Sequence, residues 1–145
     1  MRILILCGGF GTRLLPITKF CAKSLVSVHG QAFLSYILDF LKGQDIVLSL
    51  GYKAKDIKNY CKEKGYLCEY VVEPKPLGTG GALKFSEPFF NNNRKFIVLN
   101  GDTYIEEDLE KIYNEHNSRS DIATVLYAQS VVDGILRPAG VWIFS

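Results

Sequence analysis

The stretch that decides the fold is Ile3-Leu-Ile-Leu-Cys7, followed at once by Gly8-Gly-Phe-Gly-Thr-Arg-Leu14. An unbroken apolar run that stops at a glycine pair predicts a strand buried on both faces, the kind that parallel sheets contain. The run is too short to cross a membrane or to form a signal-peptide core. Ile46 to Leu50 and Leu67 to Val72 give second and third strands. Lys95 to Asn100 gives a fourth, Ile122 to Ala128 a fifth and Val141 to Phe144 a sixth.

Helical patterns lie between these runs. Phe33 to Leu41 carries apolar residues at helical spacing, and Lys53 to Lys64 is amphipathic and stops at Gly65, a natural C-terminal cap. Thr79 to Ser86 is a short helix entered through Gly78, and Glu106 to His116 opens with acidic residues, as the helix dipole favours. Strands alternating with helices predict an α/β fold: a Rossmann-like three-layer sandwich with a mostly parallel sheet and helices on both faces. The common strand order 3-2-1-4-5 sets strands 1 and 4 side by side at a topological switch point. The loops after Cys7 and Asn100 are therefore expected to hold the chemistry.

The 145 residues, 48% of them hydrophobic, suit one domain spanning 1–145 with a single core. Cys7, Cys21, Cys61 and Cys68 form neither a CxxC pair nor a zinc spacing and read as reduced, small apolar residues. His29, His116 and Trp142 read as packing or surface residues. With no export signal and no spanning run, a cytoplasmic location is expected. The net charge of +2 does not suggest a nucleic-acid partner. From Met1 to Leu38, however, there is no Asp or Glu, while Arg2, Arg13, Lys19 and Lys23 are present. Such a basic zone suits a small anion.

Glycines bring backbone N–H groups close to a phosphate, and Arg13 adds a planar fork of donors. Two familiar phosphate loops fail here. Leu14 stands where a dinucleotide fingerprint beginning at Gly9 needs its third glycine, and no Gly-Lys-Ser/Thr ends the loop. A plain tight strand exit stays open as the alternative, as does a turn role for Asp102 and an exposed strand-end charge for Glu73.

Gly8-Gly-Phe-Gly-Thr-Arg-Leu-Leu-Pro-Ile-Thr18 with Lys23 resembles the signature of sugar-phosphate nucleotidylyltransferases. Glu73-Pro-Lys-Pro-Leu-Gly-Thr-Gly-Gly-Ala82 and Asn100-Gly-Asp-Thr103 follow in the family's order, and the Leu77 to Ala82 form is most similar to heptose-1-phosphate and mannose-1-phosphate guanylyltransferases. The resemblance implies transfer of a nucleotidyl group, from GTP by preference, to a sugar 1-phosphate with release of pyrophosphate. It implies that Gly8, Gly9, Gly11 and Thr12 cradle the triphosphate and that Arg13 balances the leaving pyrophosphate. Lys23 would lie near the α-phosphate, and Asp102 would hold Mg²⁺, a hard cation that takes oxygen ligands. Gly78, Thr79 and Gly80 would contact base and ribose. Glu73 would meet the base edge, where a carboxylate accepts from two adjacent guanine donors. The partners implied are a nucleoside triphosphate and a sugar 1-phosphate, with no nucleic acid, no membrane and self-association left open.

Two departures stand out. Ala22, Ser24, Ser27 and Ala32 occupy positions where the family favours proline, which predicts a looser segment around Lys23. The Val131 to Pro138 stretch is abridged, the family's Glu-Lys sugar motif is missing, and Ser145 falls where family members continue to a second metal carboxylate. A shortened module that binds nucleotide or sugar nucleotide without turnover is the competing expectation.

Overall fold

The computed structural model describes residues 1–145 apart from 91–94, 120 and 131. In chain order the elements are β1 (Arg2–Cys7), the short strands β2 (Ser27–Val28) and β3 (Gln31–Ala32), α1 (Phe33–Phe40), β4 (Asp45–Leu50) and α2 (Ala54–Lys64). They continue with β5 (Glu69–Val72), α3 (Gly78–Phe85), β6 (Phe96–Asn100), α4 (Leu109–Ser118), β7 (Ala123–Gln129) and β8 (Leu136–Phe144). The main sheet runs β5-β4-β1-β6-β8-β7, while β2 and β3 pair in a separate hairpin. β1 lies parallel to β4 and β6, and β4 lies parallel to β5. The α/β sandwich with a mostly parallel sheet is thus present.

The expected strand order holds across β5, β4, β1 and β6 and fails beyond them. β8, not β7, lies beside β6, and it runs antiparallel to both neighbours. Only six residues, 130–135, separate β7 from β8, far fewer than the dozen or so of a parallel crossover. Burial then decides which strand goes inside. Val141 and Ile143 are fully buried, whereas β7 alternates between exposed and half-buried residues, as an edge strand does. Val131, where the abridged stretch begins, lies outside the described residues.

The pleat of β1 divides the core. Ile3, Ile5 and Cys7 face Leu34, Ile57 and Leu109, brought by α1, α2 and α4. Leu4 and Leu6 face the opposite way, onto Leu83 of α3 and Phe90 of the following turn. Fully burying one such aliphatic side chain contributes roughly 1.5–3 kcal/mol, so the two faces lock β1 in its central place. Gly65 ends α2 at φ 75°, with its N–H donating to Cys61 and Lys62 carbonyls. α4 starts at Leu109 rather than near Glu106 because Asp108 caps it, accepting from the Lys111 N–H at 3.0 Å. No described helix is long and apolar enough to cross a membrane.

His116 is buried, with 1% of its surface exposed, between α4 and the β7–β8 edge. Ser145 Oγ donates to the Asp121 carbonyl, so it accepts from His116 Nε2, while His116 Nδ1 meets Thr124 Oγ1; both histidine contacts are 2.8 Å. This arrangement accommodates a neutral ring, with Thr124 Oγ1 donating to Nδ1. Burial, with Lys95 nearby, pushes its pKa below the usual histidine value. As pH falls through about 6.5, the unfolded chain takes up the proton first and stability is lost towards the lower folded pKa. We expect urea unfolding to show falling stability from about pH 7 to pH 5, with a flatter profile in His116→Gln. An equal slope in both proteins would remove His116 as the cause.

Candidate active site

A cleft of about 340 Å³ opens at the carboxyl ends of β1 and β6. That is where an open α/β sheet binds ligands, and the volume lies in the usual range for a small-molecule site. Gly8, Gly9, Lys23, Glu73, Gly78, Thr79 and Asp102 line it. Gly11, Thr12, Arg13 and Gly80 do not; the first three flank it on the glycine loop and Gly80 in the first turn of α3. Arg13 sits exposed on a 3₁₀ turn, Thr12–Leu14.

The floor depends on glycines at three adjacent strand ends. A Cβ on Gly51 would lie 2.7 Å from the Gly8 carbonyl oxygen, and one on Gly8 would lie 2.6 Å from Glu73 Oε1. A Cβ on Gly101 would come within 2.4 Å of Cys7 Sγ. The glycine loop then turns through Gly11, whose φ of 65° favours glycine. Thr18 pins the turn, its hydroxyl donating to the Gly11 carbonyl at 2.9 Å. Among the described residues, the N–H groups of Gly9, Phe10, Gly11, Thr12 and Arg13 find no protein acceptor. They are available to an anion.

A Cβ on Gly11 would meet Lys23 Cβ at 2.9 Å, so the lysine stem packs directly against the loop. At the positions without the family's prolines, the segment still forms close local contacts. Ala22 and Ser24 are buried, and Lys23–Leu25 forms a 3₁₀ turn closed by the Leu25 N–H on the Ala22 carbonyl. Ala22 has φ −63°, the angle proline would impose, so packing supplies the constraint that a ring supplies elsewhere. The Lys23 ammonium donates to Asp102 Oδ2 across the cleft.

Glu73 lies deeper than a strand-end charge would. Its Oε1 accepts from Ser49 Oγ and its Oε2 from the Leu77 N–H, each at 3.1 Å. It thus ties the end of β4 to the start of α3, whose first turn opens on the cleft. Sequence reasoning missed Phe10, Ser24, Leu77 and Asn100 as lining residues. Asn100 and Leu77 stood inside quoted motifs, and Ser24 was visible only as a missing proline. Ser24 Oγ finds no hydrogen-bond partner among the described residues, its neighbour being the Cys7 thiol. Burial pushes that thiol up to about 12, so it stays neutral. Asp102 is the one cleft carboxylate left free of backbone and hydroxyl donors, and no cluster of three or more His, Cys, Asp or Glu occurs among the described residues. That donor set fits a hard cation that completes its shell with a ligand's phosphate oxygens, as Mg²⁺ does.

Comparison with known proteins gives a consistent result. Residues 2–133 match the nucleotidyl transferase family. The chain is 41% identical over 117 residues to D-glycero-alpha-D-manno-heptose 1-phosphate guanylyltransferase of Campylobacter jejuni, covering 77% of this chain and 52% of that protein. It is 35% identical over 134 residues to the mannose-1-phosphate guanyltransferase of Pichia angusta, covering 87% of this chain and 37% of that one. The crystal structure of HddC from Yersinia pseudotuberculosis complexed with GMP-PN superposes with a TM-score of 0.78 at 28% identity, covering 99% of this chain and 76% of that chain. The chain therefore spans about half the length of the first of these relatives.

The glycine floor can be tested by stability alone. Gly101→Ala should cost roughly 1–3 kcal/mol in denaturant unfolding, because the new methyl overlaps Cys7 Sγ and the Leu6 carbonyl. Gly9→Ala meets nothing within 4 Å and should be nearly neutral. Equal losses at the two positions would refute this account of the floor.

Proposed function

Since the chain belongs to the nucleotidyl transferase family, we propose that it transfers a nucleotidyl group, guanylyl by preference, from a nucleoside triphosphate to a sugar 1-phosphate, releasing pyrophosphate. Residues 1–145 are read as one nucleotidyltransferase domain, working in the cytoplasm where triphosphates are supplied. The observation that carries this reading is the meeting of free loop amides, Lys23 and Asp102 at one cleft. Two relatives named as guanylyltransferases support the lean to guanine.

The reaction is an in-line attack by a sugar-phosphate oxygen on the α-phosphorus, so catalysis is mostly positioning and charge neutralisation. In this reading the N–H groups from Gly9 to Arg13 hydrogen-bond the triphosphate oxygens. Arg13, exposed at the rim, steadies the departing pyrophosphate. Lys23 donates towards the α-phosphate and the attacking oxygen. Asp102 would hold Mg²⁺, which when bound offsets phosphate charge. Gly78 and Thr79, at the positive end of α3, face the ribose and base. Glu73 retains an unused lone-pair site on each oxygen, so a guanine edge can still be read there.

The decisive experiment measures pyrophosphate release from GTP, UTP, dTTP, CTP and ATP with a panel of sugar 1-phosphates. GTP is expected to be preferred by roughly tenfold to a hundredfold, the cost of leaving buried acceptors opposed by carbonyls. Arg13→Ala should weaken triphosphate binding, and Lys23→Ala should lower turnover more than binding. Triphosphate bound without any pyrophosphate released would favour the binding-module reading. A GTP preference that survives Glu73→Gln would move base selection to the backbone of Leu77 to Thr79.

A further inference from the structure

Sequence reasoning gives Lys23 a phosphate and Asp102 a divalent cation. In the structure each is the other's partner, and their ion pair bridges the 3₁₀ turn Lys23–Leu25 to the loop after β6. The side chains are 31% and 44% exposed, so the bridge sits at the open side of the cleft. Their backbones cannot shift easily. Gly11 presses on the Lys23 stem, and Gly101 is wedged against Cys7 and Leu6. What can move is the far end of the lysine. The other cleft carboxylate, Glu73, is already held by Ser49 and Leu77.

An ammonium and a divalent cation at contact distance on one carboxylate repel each other, so a cation arriving at Asp102 weakens its hold on Lys23. The geometry points to a partner exchange. In the ligand-free protein, the Lys23 ammonium is the resident counter-ion of Asp102. A divalent cation takes the carboxylate and frees Lys23 Nζ to turn into the cleft, towards the phosphate it would serve. The exchange rests on the reading of Asp102 as the cation's carboxylate. It favours an order of events, since an amine held by Asp102 is turned away from the phosphate it would serve. The pair also offsets the charge of the Asp102 carboxylate within the cleft. Both side chains are substantially solvated, so the pair is weak and the exchange runs at low cost.

The test uses the wild-type chain with no nucleotide. Acetic anhydride labelling, read by peptide mass spectrometry, reports the accessibility of the Lys23 amine. Saturating Mg²⁺ should raise the Lys23 rate severalfold and leave Lys19, exposed on the preceding turn, unchanged. In Asp102→Asn the Lys23 rate should already be high and indifferent to Mg²⁺. In parallel, free Mn²⁺ measured by electron paramagnetic resonance should show Lys23→Met binding Mn²⁺ roughly two- to fivefold tighter than wild type, the gain expected from removing a weak competing pair. Lys19→Met makes the same charge change without breaking the pair and should not tighten binding. A wild-type Lys23 rate unmoved by Mg²⁺ overturns the exchange and needs no variant to fold. Equal tightening in both lysine variants also overturns it, leaving only a general field effect. Turnover with an unmoved Lys23 sinks this inference alone, whereas cation-released Lys23 without pyrophosphate release sinks the catalytic reading alone.

Discussion

The cleft exists because three neighbouring strands end in residues without a Cβ. Gly8, Gly51 and Gly101 follow β1, β4 and β6, and at each a methyl group would overlap atoms of an adjacent strand or of Glu73. With side chains there, the strand ends would splay. The glycine loop could not fold back over β1, and Asp102 would not stand opposite Lys23. The ladders support this closeness: the Gly101 N–H donates to the Leu6 carbonyl at 2.9 Å and the Tyr52 N–H to the Gly8 carbonyl at 3.2 Å. Gly8, Gly51 and Gly101 thus serve packing, whereas Gly9 has open space around it.

On that floor, polar groups divide by depth. Glu73 joins Ser49 to Leu77 with one lone-pair site on each oxygen, and so ties the end of β4 to the start of α3. Lys23 and Asp102 are spent on each other at the opening. An ion pair at a solvated rim contributes little to stability, so the pair's weight is in charge balance and placement. Thr18 makes the link between the two tiers. Its hydroxyl holds the Gly11 carbonyl, and its methyl, with the Lys23 stem, occupies the space a Gly11 side chain would need.

Much of this was legible in the sequence, for reasons specific to particular residues. Ile3 to Cys7 and Ile46 to Leu50 are continuous apolar runs, and a strand buried on both faces can hardly read otherwise. From their order alone, the loops after Cys7 and Asn100 were expected at the site, and Lys23, Gly8, Gly9 and Asp102 meet there. The place of β8 was not legible from the commonest strand order. It was implicit in the contrast between Val141-Trp-Ile-Phe144 and the alternating Ala123 to Gln129, together with the few residues between them. The engagement of Glu73 could not be read at all, because Ser49 lies 24 residues away and only the parallel pairing of β4 with β5 brings it close.

The absent prolines show how one constraint can be met by different chemistry. Ala22 and Ala32 both sit at φ −63°, each just before a helical turn, so the backbone takes the path that proline would set. β2 and β3 hold the second of these positions, with the Phe33 N–H on the Val26 carbonyl, and burial of Ala22 holds the first. Proline lowers the entropy of the unfolded chain, whereas packing acts on the folded one. The cost of the substitution therefore falls on stability rather than on geometry. The Lys23 stem lies against Gly11, and its amine meets Asp102.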